Sequence, residues 1–147
     1  MSAAYKADFN LWIEQTAQLL RSHSWHEIDV EHLIEEVEGL GKSERRAIAS
    51  QLTRLLLHLL KWQYQPQRRS DSWLDSITDS RTQIELAILD SPSLKSYPTE
   101  QLEESYQRAR RQVAKQTELL ISVFPEKCPF SVELVLDEDW LPEASNI

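Results

Sequence analysis

The chain has 147 residues, with 24 Asp and Glu against 16 Lys and Arg, one Cys and two Gly. That length suits one domain with a substantial core. So little Gly leaves small room for Gly-dependent hairpins or phosphate-cradling loops, and a lone Cys128 makes neither an internal disulfide nor a thiolate metal site.

The first apolar pattern begins at Tyr5. Phe9, Trp12, Ile13, Thr16, Ala17 and Leu20 follow at helical spacing and predict a helix from Ala4 to Arg21. A break runs from His23 to Ile28. Asp29 is then placed to cap a second helix, with Glu31 in its first turn, where the positive end of the helix favours an acid. Val30, Leu33, Ile34 and Val37 form its face, and Gly39 is placed to end it. Ser43 can cap the next helix, although a kinked continuation through Gly41 is also open. At 100° per residue Ile48, Leu52, Leu55, Leu56, Leu59, Leu60 and Trp62 cover an arc of about 160°, wide enough for a central helix.

Pro66 stops that helix. Ser70 or Asp71 caps another, with Trp73, Ile77, Ile84, Ala87 and Ile88 on one face. It ends before Ser91–Pro92, where Ser91 can cap a short turn that starts on Pro92. Thr99 is the expected cap of the last long helix, whose face is Leu102, Tyr106, Ala109, Val113, Thr117 and Leu120. Pro125 and Pro129 punctuate the tail. Ser131 can cap a short helix carrying Val132, Val135 and Leu136; the same string has strand-like content but no second strand to pair with.

The expected fold is all-α: a single helical-bundle domain of four long helices plus two or three short ones, spanning residues 1–147. Trp12, Leu52, Leu55, Leu59, Trp62, Ile77, Ile84, Tyr106 and Val113 should share one core. The longest uninterrupted apolar run is Leu55–Leu57, so no membrane span is expected. The N-terminus lacks the basic-then-apolar pattern of a secretory signal, and a cytoplasmic location follows as the default.

The net charge of −8 is unevenly spread. Residues 1–38 are acidic, with Lys6 and Arg21 against eight carboxylates, whereas residues 39–69 carry seven bases against Glu44 alone. Such runs are mostly solvated faces or pair inside the fold. The alternative is a basic stripe over residues 42–69 for nucleic acid, which the acidic remainder opposes at long range. Arg54, Lys61, Arg68 and Arg69 are the interaction candidates of that stripe. Trp62 and Trp73, on either side of Pro66, are expected to pack at a helix corner.

Several strings carry a family resemblance. They are Tyr5-x-x-Asp8-Phe9-x-x-Trp12, then Leu33-Ile34-Glu35-Glu36-Val37-Glu38-x-Leu40-Gly41-x-Ser43-Glu44-Arg45. The longest is Leu55-Leu56-x-His58-Leu59-Leu60-Lys61-Trp62-Gln63-Tyr64-Gln65-Pro66. Ser72-Trp73, Ile77, Arg81, Ile84, Ser91-Pro92-Ser93-Leu94, Tyr106-x-x-Ala109-Arg110 and Cys128-Pro129-Phe130 complete the set. From Tyr5 to Pro142 the chain resembles the domain-of-unknown-function family 29, a bacterial family common in cyanobacteria. It departs from the family pattern after Trp73, with Leu74–Asp75–Ser76 where the family has Arg-Ala-Thr. The resemblance implies an α-helical fold and no activity.

Chemistry-bearing residues are few. His58 sits about 40° outside the central apolar arc, with Arg54 and Lys61 on its flank. Glu35 and Glu38 share a face of the preceding helix. A hairpin of these two helices would bring the carboxylates to His58 or Lys61, and His58 is then expected to hydrogen-bond a carboxylate of residues 35–38. Glu35, Glu38 and His58 would be a possible metal set, and with Lys61 a possible catalytic one, although no Glu-x-x-His pair of the di-metal bundles is present. The competing expectation is a buried polar network that holds two helices in register. His23, His26, Asp29 and His32 look like a surface loop, and Cys128 like a structural thiol.

No cofactor is expected. The preferred function is a non-catalytic interaction or regulatory module with a protein partner. The alternatives are a helical enzyme or metal-binding domain using His58 with Glu35 and Glu38, and nucleic-acid binding through residues 42–69. Leu11, Leu57 and Leu86 lie off their helix faces, which makes a homodimer conceivable.

Overall fold

A computed structural model describes residues 2–145, with side chains from Tyr5 onward. Six helices follow in order: α1 (Ser2–Ala7), α2 (Phe9–Arg21), α3 (Val30–Tyr64), α4 (Asp71–Asp90), α5 (Tyr97–Thr117) and α6 (Val132–Leu136). Single 3-10 turns lie at Trp25–Glu27, Pro66–Arg68, Pro92–Leu94 and Ile121–Val123. No strand occurs among the described residues. The fold is all-α, and four of its helices are long. No helix among the described residues is long and apolar enough to cross a membrane. The chain divides into two compact units, Met1–Ser43 and Glu44–Ile147.

In the first unit the helix expected from Ala4 to Arg21 is interrupted. Asp8 leaves the helical conformation, and its side chain accepts a hydrogen bond from the Leu11 amide at 3.0 Å, so α2 begins on its own cap. This is the N-cap chemistry for which short carboxylates are suited. Asp29 caps α3 as expected, with Oδ1 accepting from the His32 amide at 3.3 Å. Trp12 and Thr16 are the buried residues of α2, one turn apart.

The largest departure from expectation is α3, which runs 35 residues without a break. Gly39 neither adopts positive φ nor ends a helix, and Ser43 caps nothing. A Gly inside a helix costs only about 0.5–1 kcal/mol relative to Ala. Here its neighbours are Glu, Leu, Lys and Arg, all good helix formers, and they carry the helix through. There is no hairpin between the acidic string and the His58 string.

In the second unit, α3 from Ile48 to Leu60 is covered on most sides. Leu57, expected to point away from the core, is 7 % exposed and belongs to it. The core joins Leu52, Leu55, Leu59, Ile77, Ile84, Tyr106 and Val113 with Phe124, Phe130 and Val135 from the tail. Two of the expected core residues are elsewhere. Trp12 is buried within the first unit, and Trp62 is only half-buried, with the Arg69 guanidinium 4.5 Å from its ring centroid. Ser70 caps α4 by accepting from the Trp73 amide, and Ser131 caps α6 by accepting from Leu134. α5 starts at Tyr97, ahead of the expected Thr99, because Pro98 fits a first turn that needs no amide donor. It ends where Glu118 turns to positive φ.

Polar donors pin the tail. Tyr106 donates its hydroxyl to the Pro125 carbonyl at 2.6 Å. Arg110 donates to the carbonyls of Ile121 and Phe124, and Arg81 to those of Val135 (2.8 Å) and Trp140 (2.9 Å). The Ser145 amide reaches the Gln63 carbonyl at 2.8 Å.

Candidate functional site

His58 lies on α3, half-buried, with Nδ1 2.9 Å from the Arg54 carbonyl oxygen. A carbonyl only accepts, so Nδ1 carries the proton and Nε2 is the acceptor of the neutral ring. Burial lowers the His58 pKa, and the charges of Lys61 and Arg54 add to that, against the carbonyl bond that favours the protonated ring. Arg54 itself is held by Asp79 at 2.6 Å and reaches Ser76. Burial also lowers the Lys61 pKa, and its ammonium lies 5.7 Å from the Trp73 ring centroid. Arg69 donates Nε to the Trp62 carbonyl while stacking on that residue's ring. Arg68 is exposed. Three of the four interaction candidates are thus engaged with their own chain.

The carboxylates expected beside His58 do not arrive by a hairpin. Glu35, Glu36, Glu38 and His58 belong to one helix, on which only residues three or four apart face each other. The network expected at His58 is replaced by a local bond to its own helix, and the metal set of Glu35, Glu38 and His58 loses the geometry it depended on. Among the described residues, no group of three or more His, Cys, Asp and Glu side chains is placed to hold a metal ion.

The histidine that does meet a carboxylate is His32. Its Nδ1 lies 2.5 Å from Asp29 Oδ2, and this bond holds the Asp29 carboxyl below its usual range. The ring stacks on Tyr5, centroids 3.9 Å apart. Tyr5 donates its hydroxyl to Glu36 Oε1 at 2.6 Å, which pushes the phenol up to about 12. Phe9 and Trp12 pack against the same tyrosine edge to face. The sequence contained the signal, since Tyr5, Asp8, Trp12 and Glu36 stand in the quoted strings, but nothing in one dimension joined Tyr5 to Glu36. A cleft of about 960 Å³ lies beside this cluster, lined by Trp12, Thr16, His26, Asp29 and His32 among others. The dyad can orient a ring and accept or give a proton. Among the described residues Thr16 is the one hydroxyl side chain lining the cleft, and no hydrogen bond joins it to the dyad.

Cys128 is a half-buried thiol that donates to the Phe130 carbonyl, and its burial pushes the pKa up to about 11. A thiol so far from ionisation is a poor nucleophile.

What the sequence missed is a surface. Val30, Ile34 and Val37, read as part of one helix face, are 53 %, 51 % and 60 % exposed, and Leu40, beyond the expected end of that helix, is 70 % exposed. On α2, Phe9, Ile13 and Leu20 also face solvent. They are spaced as i, i+4 and i+11 and form a second stripe on one side of that helix.

A family model described as a domain of unknown function, DUF29, matches residues 4–141. No curated protein and no solved structure matches the chain.

Proposed function

Because the chain belongs to the DUF29 family, whose description carries no activity, we propose from its surface that it is a non-catalytic interaction module. The observation that supports this is the exposed stripe of Val30, Ile34, Val37 and Leu40 on α3. Scattered exposed leucines need no explanation, but aligned apolar residues on successive turns mark a docking face. The engagement of Arg54, Lys61 and Arg69 with their own chain favours this over a basic nucleic-acid surface. The test is retention of a partner by the tagged native chain and by an Ile34→Asp Val37→Asp variant. The retained protein is then purified and its direct binding measured. Native binding that the variant loses supports the module. Binding that the variant keeps, or turnover of a substrate by the native chain, overturns it.

A further inference from the structure

Along the first three turns of α3, Leu40, Leu33, Val37, Val30 and Ile34 fall within an arc of about 120°. Glu38 and Glu31 lie about 40–60° beyond Ile34, along the same edge. Glu36 borders the opposite edge and is occupied by Tyr5. The stripe is about 15 Å long, the reach of three helical turns. It belongs to a unit in which eight carboxylates stand against Lys6, Arg21 and Lys42, a net −5 over residues 1–43.

Resting on the interaction reading above, we propose that this stripe receives a basic amphipathic helix of a partner protein. Apolar residues at i, i+3 or i+4, and i+7 of that helix match the spacing of the α3 stripe, as in helix-on-helix recognition generally. Lys or Arg beside those anchors meets Glu31 and Glu38. Charge decides between occupants. A second copy would bring the same acidic unit against itself, and like charges facing one another oppose the contact. An acidic partner helix meets the same opposition. A basic one is attracted at long range and fixed in register by the acidic edge.

The experiment uses the full chain and a synthetic Leu/Lys peptide of four helical turns, with Leu at helical spacing. A Leu/Glu peptide of the same pattern and a Leu/Lys peptide of permuted pattern are the controls. At physiological salt the patterned Leu/Lys peptide should bind about tenfold more tightly than either control, a difference of about 1.4 kcal/mol. Ile34→Asp and Val37→Asp should each weaken it by a similar factor at unchanged helical content, since both side chains are exposed. Glu31→Lys with Glu38→Lys should weaken the Leu/Lys peptide and strengthen the Leu/Glu one. Equal binding of the permuted peptide, or insensitivity to Val37→Asp, overturns the proposal. So does a sedimenting dimer that Val37→Asp dissociates, because the occupant is then a second copy. If the retained partner depends on Ile34 and Val37 while no Leu/Lys peptide binds, the interaction module stands and the basic-helix partner fails.

Discussion

At the scale of single residues, polar groups are used to bind backbone. Arg81 is 7 % exposed and serves two tail carbonyls, so its cost of burial is met by two charge-assisted bonds. Arg81→Met removes both donors and leaves the Val135 and Trp140 carbonyls without partners. We expect a loss of about 2–4 kcal/mol in urea unfolding. Arg81→Lys should not restore it, because an ammonium lacks the forked geometry that spans two acceptors. A loss below about 0.5 kcal/mol would mean that the tail carbonyls find water instead. His58 gives a pH dependence whose sign follows from its lowered pKa. The unfolded ring titrates at ~6.5, and the folded ring takes its proton only at lower pH. Between the two values the unfolded chain binds more protons, so His58 supports the fold above about pH 6.5 and that support fades as pH falls toward the folded value. Thermal unfolding of His58→Gln should therefore show a shallower decline of Tm from pH 7 to pH 5 than the native chain. Identical slopes would place the titration on another group.

At the scale of elements, α3 carries the most information. Its part from Ile48 to Leu60 is buried nearly all round, whereas Val30 to Leu40 keeps an exposed apolar side. Gly39 lies at the end of the exposed part and Gly41 just beyond it, both in helical conformation. A Cβ added to Gly39 would meet nothing within 4 Å. Gly39→Ala should therefore stabilise the protein by about 0.5–1 kcal/mol, by removing unfolded-state entropy without a steric penalty. Denaturant unfolding checks this, and a destabilised variant would show that the backbone there needs a freedom that Ala lacks. The same element explains the failure of the expected hairpin. Gly39, Gly41 and Ser43 resemble a stop and a start, but each acts only locally, and the propensity of the flanking residues outweighs them.

At the scale of the whole molecule, charge and burial follow different divisions. The unit of residues 44–147 holds the shared core of Leu, Ile, Tyr106 and Phe124 side chains. The unit of residues 1–43 is held by Trp12 and Thr16, an aromatic cluster around Tyr5 and two carboxylate bonds, with acidic character and exposed apolar stripes. The exposed stripe on α3 is the feature that supports the proposed interaction module.

The all-α class, the caps at Asp29, Ser70 and Ser131, the turn at Ser91–Pro92 and the central place of residues 48–60 were all legible in the sequence. Each depends on local chemistry: a side-chain oxygen near free amides, a proline, an apolar period of 3.6 residues. The family was legible for a similar reason, since its strings are local. Tertiary structure alone decided that α3 is unbroken, that Leu57 is inside and Trp62 at the edge, and that His32 rather than His58 finds a carboxylate. It also decided that Val30, Ile34, Val37 and Leu40 face solvent. Periodicity fixes which residues share a face, but not what covers it. That depends on residues distant in sequence, and on this face Val30, Ile34, Val37 and Leu40 are left half exposed or more.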